Sequence, residues 1–325
     1  MQRMDPIKAS GLMISAEEAG FDLGVTDDHF HPWSHTNAYA TFPWVWMASV
    51  AARTNKLVLG TGVTAPIYRY HPAIIAQAFA SMATLYPKRI FLGLGTGEAM
   101  NEVPLGLDWC PFRERAERLI EAVKIIRGLW SGEFLDFRGR YFQVRNAKIY
   151  TLPAERIPLI IAAVGPKMSK IAGRYGDGLM TTGGTLEHYR DVVLKSFQEG
   201  VRESGRDPDQ CPRFVEMKVA IDEDYEKAMK EVRFWSATEI PRIYDSDVSD
   251  PRELEEQGKK VSDEKLGRSW VISTDCEQVI KAIEETIRIG FNRICIHSCS
   301  PDEHKFIELA RHSIIPYLAE HHERE

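Results

Sequence analysis

The chain has 325 residues, 44% hydrophobic and 27% charged, with a mean hydropathy of −0.29. That balance belongs to a folded globular protein and excludes disordered, fibrous and disulfide-scaffold classes. Lysine and arginine number 41 against 47 acidic residues, giving a net charge of −6 and a pI near 6.0; no basic footprint for nucleic acid or an anionic membrane is present.

In chain order, Asp5-Pro6 opens a helix over 5–18 that stops at Gly20. Strands are predicted over 21–26 and 56–60, then a helix over 71–85 closed by Tyr86-Pro87, and a strand over 89–94. A helix over 113–130 stops before Ser131-Gly132. Strands over 159–163, 178–181 and 215–221 follow, and strands over 270–273 and 293–297 flank a helix over 276–289 that stops at Gly290. Alternation of this kind means a parallel sheet covered by helices, either doubly wound or a (β/α)8 barrel. No linker, composition shift or repeat divides the chain, so residues 1–325 are read as a single domain. Two insertions interrupt the alternation. Residues 131–158 contain Tyr141-Phe142-Gln143-Val144, a predicted hairpin, and the charged stretch 238–267, with Asp250-Pro251, is a predicted lid of short helices.

The N-terminus has no apolar targeting core, and no apolar run approaches the roughly 18 residues of a membrane span, which predicts a soluble cytoplasmic protein. Five cysteines (Cys110, Cys211, Cys276, Cys295, Cys299) form no CxxC pair and read as reduced thiols. Cys295, His297 and Cys299 fall on one face of a strand, but no fourth ligand is evident, so no metal is expected.

Three segments carry candidate chemistry. The first, Thr26-Asp27-Asp28-His29-Phe30-His31-Pro32-Trp33, follows a strand directly, where catalytic groups of parallel α/β folds sit. A carboxylate beside an imidazole tunes a general base, and an indole supplies an apolar wall; the plainer possibility is a polar turn with Asp28 capping backbone amides. The second, Gly93-Leu94-Gly95-Thr96-Gly97-Glu98-Ala99-Met100-Asn101-Glu102, lets the backbone approach a flat ligand, with Glu98 and Asn101 in reach of a heterocycle edge. It is not a dinucleotide fingerprint, because Glu98 stands where a third glycine belongs. Gly60-Thr61-Gly62-Val63-Thr64-Ala65 fits one formally but fails in context, with Pro66 following. The third, Ala163-Val164-Gly165-Pro166-Lys167-Met168-Ser169, leads a strand into a helix whose free amides suit phosphate, with Lys167 and Ser169 assisting, or is an ordinary helix start. Trp44-Val45-Trp46 and Tyr68-Arg69-Tyr70 line a pocket or pack a helix. His188, His304, His312, His321 and His322 lie in polar segments, and the Glu17-Glu18 and Glu255-Glu256 pairs read as exposed helix faces.

These motifs resemble the luciferase-like (β/α)8 barrels that use the deazaflavin coenzyme F420. More narrowly, they are similar to the branch holding F420-dependent glucose-6-phosphate dehydrogenase and F420-dependent secondary alcohol dehydrogenase. The carriers are Asp28 to Trp33, Arg69-Tyr70-His71-Pro72-Ala73-Ile74-Ile75-Ala76-Gln77, Gly95 to Glu102, Gly176-Asp177-Gly178 and Phe234-Trp235, spread over nearly the whole chain. The resemblance implies that Asp28 bonds the deazaflavin pyrimidine edge and that His29 is the general base on a substrate hydroxyl. It implies that Trp33 steadies developing charge and that Glu98 faces the cofactor ring as proton donor or substrate ligand. Asn101 and the Gly95–Gly97 turn hold the ring, Gly62-Val63 is a non-prolyl cis peptide behind it, and Ala163, Val164, Gly165 and Thr182 hold the cofactor tail. The implied reaction passes hydride between a carbinol carbon and the deazaflavin C5, in a homodimer.

Departures from the pattern bear on substrate. The sugar-phosphate enzymes hold phosphate with two lysines and an arginine; those positions align with Thr185, Asp245 and Ser269, with Arg242 and Arg268 nearby. A secondary alcohol or unphosphorylated polyol is therefore expected ahead of a sugar phosphate. An FMN-dependent luciferase-like monooxygenase and a non-catalytic cofactor-binding protein stand behind both. Family members also begin with a barrel strand bearing a substrate-contacting glutamate. This chain opens at Met1-Gln2-Arg3 with no room for it, so either the barrel lacks strand one or the start lies too far downstream.

Overall fold

The computed structural model describes residues 2–322. Its parallel strands are β1 (Leu23–Thr26), β2 (Val58–Thr61), β3 (Ile90–Leu94), β6 (Leu159–Ala162), β7 (Gly178–Thr181), β8 (Arg213–Ile221), β9 (Val271–Ser273) and β10 (Arg293–Ser298), with β4 (Leu135–Arg138) and β5 (Gln143–Ala147) forming a separate antiparallel hairpin. The eight predicted strands are all present, with ends shifted by two residues or fewer. Pairing runs β1-β2-β3-β6-β7-β8-β10, while β9 pairs only with the last residues of β8. No helix among the described residues is long and apolar enough to cross a membrane.

The sheet is not closed by hydrogen bonds: no pairing joins β1 to β10 among the described residues, although the two strands lie in contact. Burial marks the seam. Every residue of β3 and β7 is buried, as expected for strands covered on both faces, whereas all six residues of β10 and alternate residues of β1 keep partial exposure. At the C-terminal end of the seam two consecutive residues anchor the chain to its two sides, Gln2 to the loop after β1 and Arg3 to the β8 and β10 side. Gln2 donates from Nε2 to Asp27 (2.5 Å) and accepts the Trp33 N–H (2.7 Å). Arg3 donates to the Ser300 carbonyl (2.9 Å) and ion-pairs with Glu231 and Glu303 (both 2.5 Å).

Local chemistry sets the helix ends. Helix α1 (Pro6–Ala19) starts after Asp5, whose carboxylate accepts the Ile7 and Lys8 amides, and stops at Gly20 in the left-handed region (φ 106°). Glu17 is not a plain exposed face: its carboxylate accepts the backbone N–H groups of Asn55, Lys56 and Leu57, tying α1 to the entry of β2. Trp44 and Trp46 lie on α2 (Pro43–Ala51) and are buried, while Val45 points out at 68% exposure, so helix packing accounts for this aromatic run.

The 238–267 insertion is a cluster of short helices, including Pro251–Gly258 and Asp263–Ser269. Its apolar core (Ile243, Leu254, Leu266) packs with Trp33, Met100, Ala220, Ile272 and Cys299, which lie on or just beyond the C-terminal ends of strands. This seats the lid on the barrel mouth. Glu255 corrects the expectation of an exposed face. It accepts from Ser34 Oγ (3.0 Å), His35 N (2.9 Å), Thr36 N (2.7 Å) and Thr36 Oγ1 (2.8 Å), latching the lid to the loop that carries His29.

Candidate active site at the barrel mouth

The loops after β1, β2 and β3 converge at the C-terminal end of the sheet. Asp28 is buried, and its carboxylate is occupied within the fold: Oδ2 accepts from Thr64 Oγ1 (2.7 Å), and Oδ1 accepts from Arg69 Nη2 (2.8 Å) and Tyr70 OH (3.1 Å). Arg69 also donates to the Asp28 carbonyl (2.5 Å) and gives its own N–H to Glu102 Oε2 (3.1 Å). Glu102 thus takes the Arg69 backbone amide, and its Oε1 lies 3.8 Å from Arg69 Nε, so two buried carboxylates flank one guanidinium. Burial raises both, against the pull of Arg69, and pushes Glu102 up to about 7.

His29 stands between these anchors with its Nδ1 buried and without a partner among the described residues. Its ring meets Trp33 edge-on, centroids 5.7 Å apart, and Trp33 in turn meets Tyr244 of the lid at 6.1 Å. Glu98, at the start of the short helix Ala99–Glu102, accepts from Asn101 Nδ2 (3.0 Å), while Asn101 Oδ1 accepts the Phe30 N–H (2.8 Å). The Gly62–Val63 peptide is cis, as the resemblance implies. Gly95 permits the neighbouring strand end to lie against it, since a Cβ there would fall 2.4 Å from Val63 Cγ2. Gly97 takes φ +75°, which favours glycine.

The remaining candidates sit farther round the mouth. Ala163 is buried at the end of β6, while Val164 is exposed and its carbonyl lies 2.7 Å from His188 Nε2. Gly165 precedes the helix Pro166–Tyr175, but Ser169 turns its hydroxyl back to the Gly165 carbonyl (2.9 Å) and is not offered to a phosphate. Thr182 donates to Glu216 Oε2, and Glu216 Oε1 pairs with His297 Nδ1 at 2.7 Å. Burial would raise Glu216, but His297, Lys218 and Thr182 hold it near 2. His297 therefore serves Glu216, and Cys299 donates to the Glu231 carbonyl (3.0 Å).

A cavity of about 380 Å³ opens beside Glu216, lined by Thr185, Lys218, Lys265, Arg268 and Ser269. Lys218 is ion-paired with Glu239 (2.6 Å), and Arg268 with Glu264 (2.6 Å). Asp245 is drawn instead to Arg115 (3.2 Å), a buried arginine that also donates to the Gly97 and Tyr244 carbonyls. The roles of Arg115, Glu216 and Glu255 are invisible in the sequence, because each is defined by partners distant in the chain. The Arg69 clamp had a signal in Tyr68-Arg69-Tyr70, but not its target.

A parallel barrel with its polar groups gathered at the C-terminal mouth is the architecture of the luciferase-like enzymes. Residues 8–293 match the luciferase-like monooxygenase family, and the chain belongs to it. Relatives include an F420-dependent glucose-6-phosphate dehydrogenase of Mycolicibacterium gilvum, 38% identical over 320 residues (98% of this chain, 95% of the relative). Another of that description, from Nakamurella multipartita, is 39% identical over 318 residues (98% and 94%). Among solved structures, an F420-dependent secondary alcohol dehydrogenase in complex with an F420-acetone adduct superposes with a TM-score of 0.93 at 38% identity, covering 95% of this chain and 94% of that one.

Proposed function

We propose that the protein is an F420-dependent dehydrogenase acting on a CH–OH substrate, a secondary alcohol or unphosphorylated polyol, as a cytoplasmic homodimer. The observation that carries this reading is His29: a half-buried imidazole whose Nδ1 is buried and without a partner among the described residues, beside Trp33 at the barrel mouth. A buried polar atom left unpaired costs about 1–3 kcal/mol, so a ring placed this way is one that a bound molecule completes. The residues present fit a deazaflavin. The cis Gly62–Val63 segment, backed by Gly95, forms one wall, and Gly97 and Glu98 border it. Ala163, Val164, Gly165 and Thr182 are assigned to the tail. Asp28 supports the site through Arg69, Thr64 and Tyr70, so contacts to the pyrimidine edge are assigned to neighbouring backbone as well as to its carboxylate.

When bound, the deazaflavin supplies the carbon that accepts or returns hydride. The protein's own part is proton handling and placement. His29 accepts the hydroxyl proton on its imidazole as general base, and the Asp27 and Asp28 carboxylates lie near enough to stabilise the imidazolium that forms. Trp33 and the lid exclude water, and Glu98, facing the ring, would hold the substrate or donate the proton that a reduced ring takes up during alcohol oxidation, accepting it back in reverse.

The cavity favours a second reading, an F420-dependent sugar-phosphate dehydrogenase. Thr185 and Ser269 replace cations of that branch, yet Lys265 and Arg268 line the same cavity with Lys218. His29→Ala tests the shared chemistry: turnover with any alcohol should be abolished while F420 affinity, read by fluorescence titration, stays nearly intact. A large loss of affinity would make His29 a cofactor ligand instead of the base.

A further inference from the structure

We infer that Asn101 is a positioning residue that locks Glu98 and His29 into one geometry, its side-chain amide joining the two loops that carry them. The inference rests on the dehydrogenase reading, and it moves Asn101 from the ligands of the cofactor ring to the framework behind the reacting groups.

Asn101 is only 1% exposed, and both of its polar atoms are engaged by the protein. The Phe30 N–H can only donate, so the atom facing it is the amide oxygen; the Glu98 carboxylate accepts, so the atom facing it is the amide nitrogen. This pair of demands, an acceptor on one side and a donor on the other across one short side chain, fits asparagine. Aspartate meets the first and opposes the second, and alanine meets neither.

The next residue repeats the grip on the other side of the base. Glu102 accepts the Arg69 N–H, and Arg69 donates to both the carbonyl and the carboxylate of Asp28. Consecutive residues of one helical turn therefore hold the two chain neighbours of His29, Phe30 directly and Asp28 through Arg69. The first of them also holds Glu98. A side chain that links a base to a carboxylate on another loop sets the distance and angle between them, and errors of about 1 Å in such geometry lower rates up to roughly 100-fold.

The test is Asn101→Asp, with Asn101→Ala as companion. Aspartate keeps the volume and the bond to Phe30 but sets a carboxylate oxygen against Glu98 Oε2, where the amide now stands at 3.0 Å. Two carboxylates that close do not both ionise. The other charged or titratable groups acting on Glu98 are Glu102, Arg115 and Tyr244, and the substitution moves none of them. In Asn101→Asp, kcat at neutral pH should fall at least tenfold, with the pH profile displaced by about one unit or more, while F420 affinity changes less than threefold. Asn101→Ala should lower kcat to a similar degree with a smaller displacement of the profile in the same direction.

A readout free of turnover is the carboxyl titration of Glu98 in the cofactor-free protein, followed by 13C NMR and assigned by Glu98→Gln. It should move upward in Asn101→Asp, and by less in Asn101→Ala, where only the amide donor is lost. In Asn101→Asp, carboxyl titrations in which neither Glu98 nor the introduced carboxyl is raised would overturn the inference, as would a tenfold or greater loss of F420 affinity with kcat preserved. Failure of the wild type to reduce F420 with any alcohol would instead defeat the dehydrogenase reading, leaving the NMR result to judge the bridge itself.

Discussion

Glu255 holds the loop that carries His29 to the lid by a charge, and Glu255→Gln measures that hold. The carboxylate accepts four hydrogen bonds from residues 34–36. Burial would raise it, but the bonds from Thr36, Ser34 and His35 hold it near 2 against an ordinary 4.5. A depressed carboxylate contributes stability that is fully present above its unfolded value and lost as pH falls toward its folded one. The contribution is therefore constant above about pH 5 and fades between 4.5 and 2. At ~1.4 kcal/mol per pH unit the full difference is on the order of 3 kcal/mol; with Glu255 at 20% exposure, solvent screening reduces it to about 1–2 kcal/mol. With an unfolding entropy of about 2.1 cal/mol/K per residue, a chain of this length should melt ~2 °C lower in Glu255→Gln at pH 7. Urea unfolding of the two proteins at pH 7, 5 and 3 is the assay. The gap should be equal at pH 7 and 5 and narrowed by about half at pH 3. Equal stability at pH 7, or a gap that persists undiminished at pH 3, would refute the latch.

Two further substitutions probe the site's scaffold. Arg69→Met removes the cation between buried Asp28 and Glu102, and should cost about 3–5 kcal/mol in denaturant unfolding at pH 7; a loss below 1 kcal/mol would show that the carboxylates do not depend on it. Gly95→Ala places a methyl 2.4 Å from Val63 Cγ2, so the wall formed by Gly62–Val63 must shift. F420 Kd should rise at least tenfold, alongside an overpacking cost of roughly 1–3 kcal/mol, and an unchanged Kd would remove Val63 from the cofactor site.

The strands were legible because each is a short apolar run closed by glycine, proline or a polar turn, and parallel strands buried on both faces announce themselves that way. The lid and hairpin were legible as interruptions of the alternation. The candidate site was legible where its segments are local: Asp28 to Trp33 and Gly95 to Glu102 are each contiguous, and the structure brings the two together at the C-terminal end of the sheet. What stayed hidden depends on partners far along the chain. Asp28 reads as a cap or a cofactor ligand until Arg69, 41 residues on, is seen against it. Glu255 reads as a solvated face until Thr36, 219 residues back, is seen beneath it. Thr185 and Ser269 read as lost cations until Lys265 and Arg268 are found around the same cavity. Pattern and periodicity report which face of an element is apolar, not which distant charge will meet it.

Alcohol dehydrogenation through F420 is most directly tested by mixing the protein with oxidised F420 and following its fluorescence on addition of isopropanol or glucose 6-phosphate. Bleaching by isopropanol is expected, in wild type and Lys265→Ala alike. Bleaching by the sugar phosphate alone, lost in Lys265→Ala, would contradict the alcohol assignment and give the cavity's cations the substrate. Tight binding of F420 with no bleaching by either would contradict dehydrogenase activity itself.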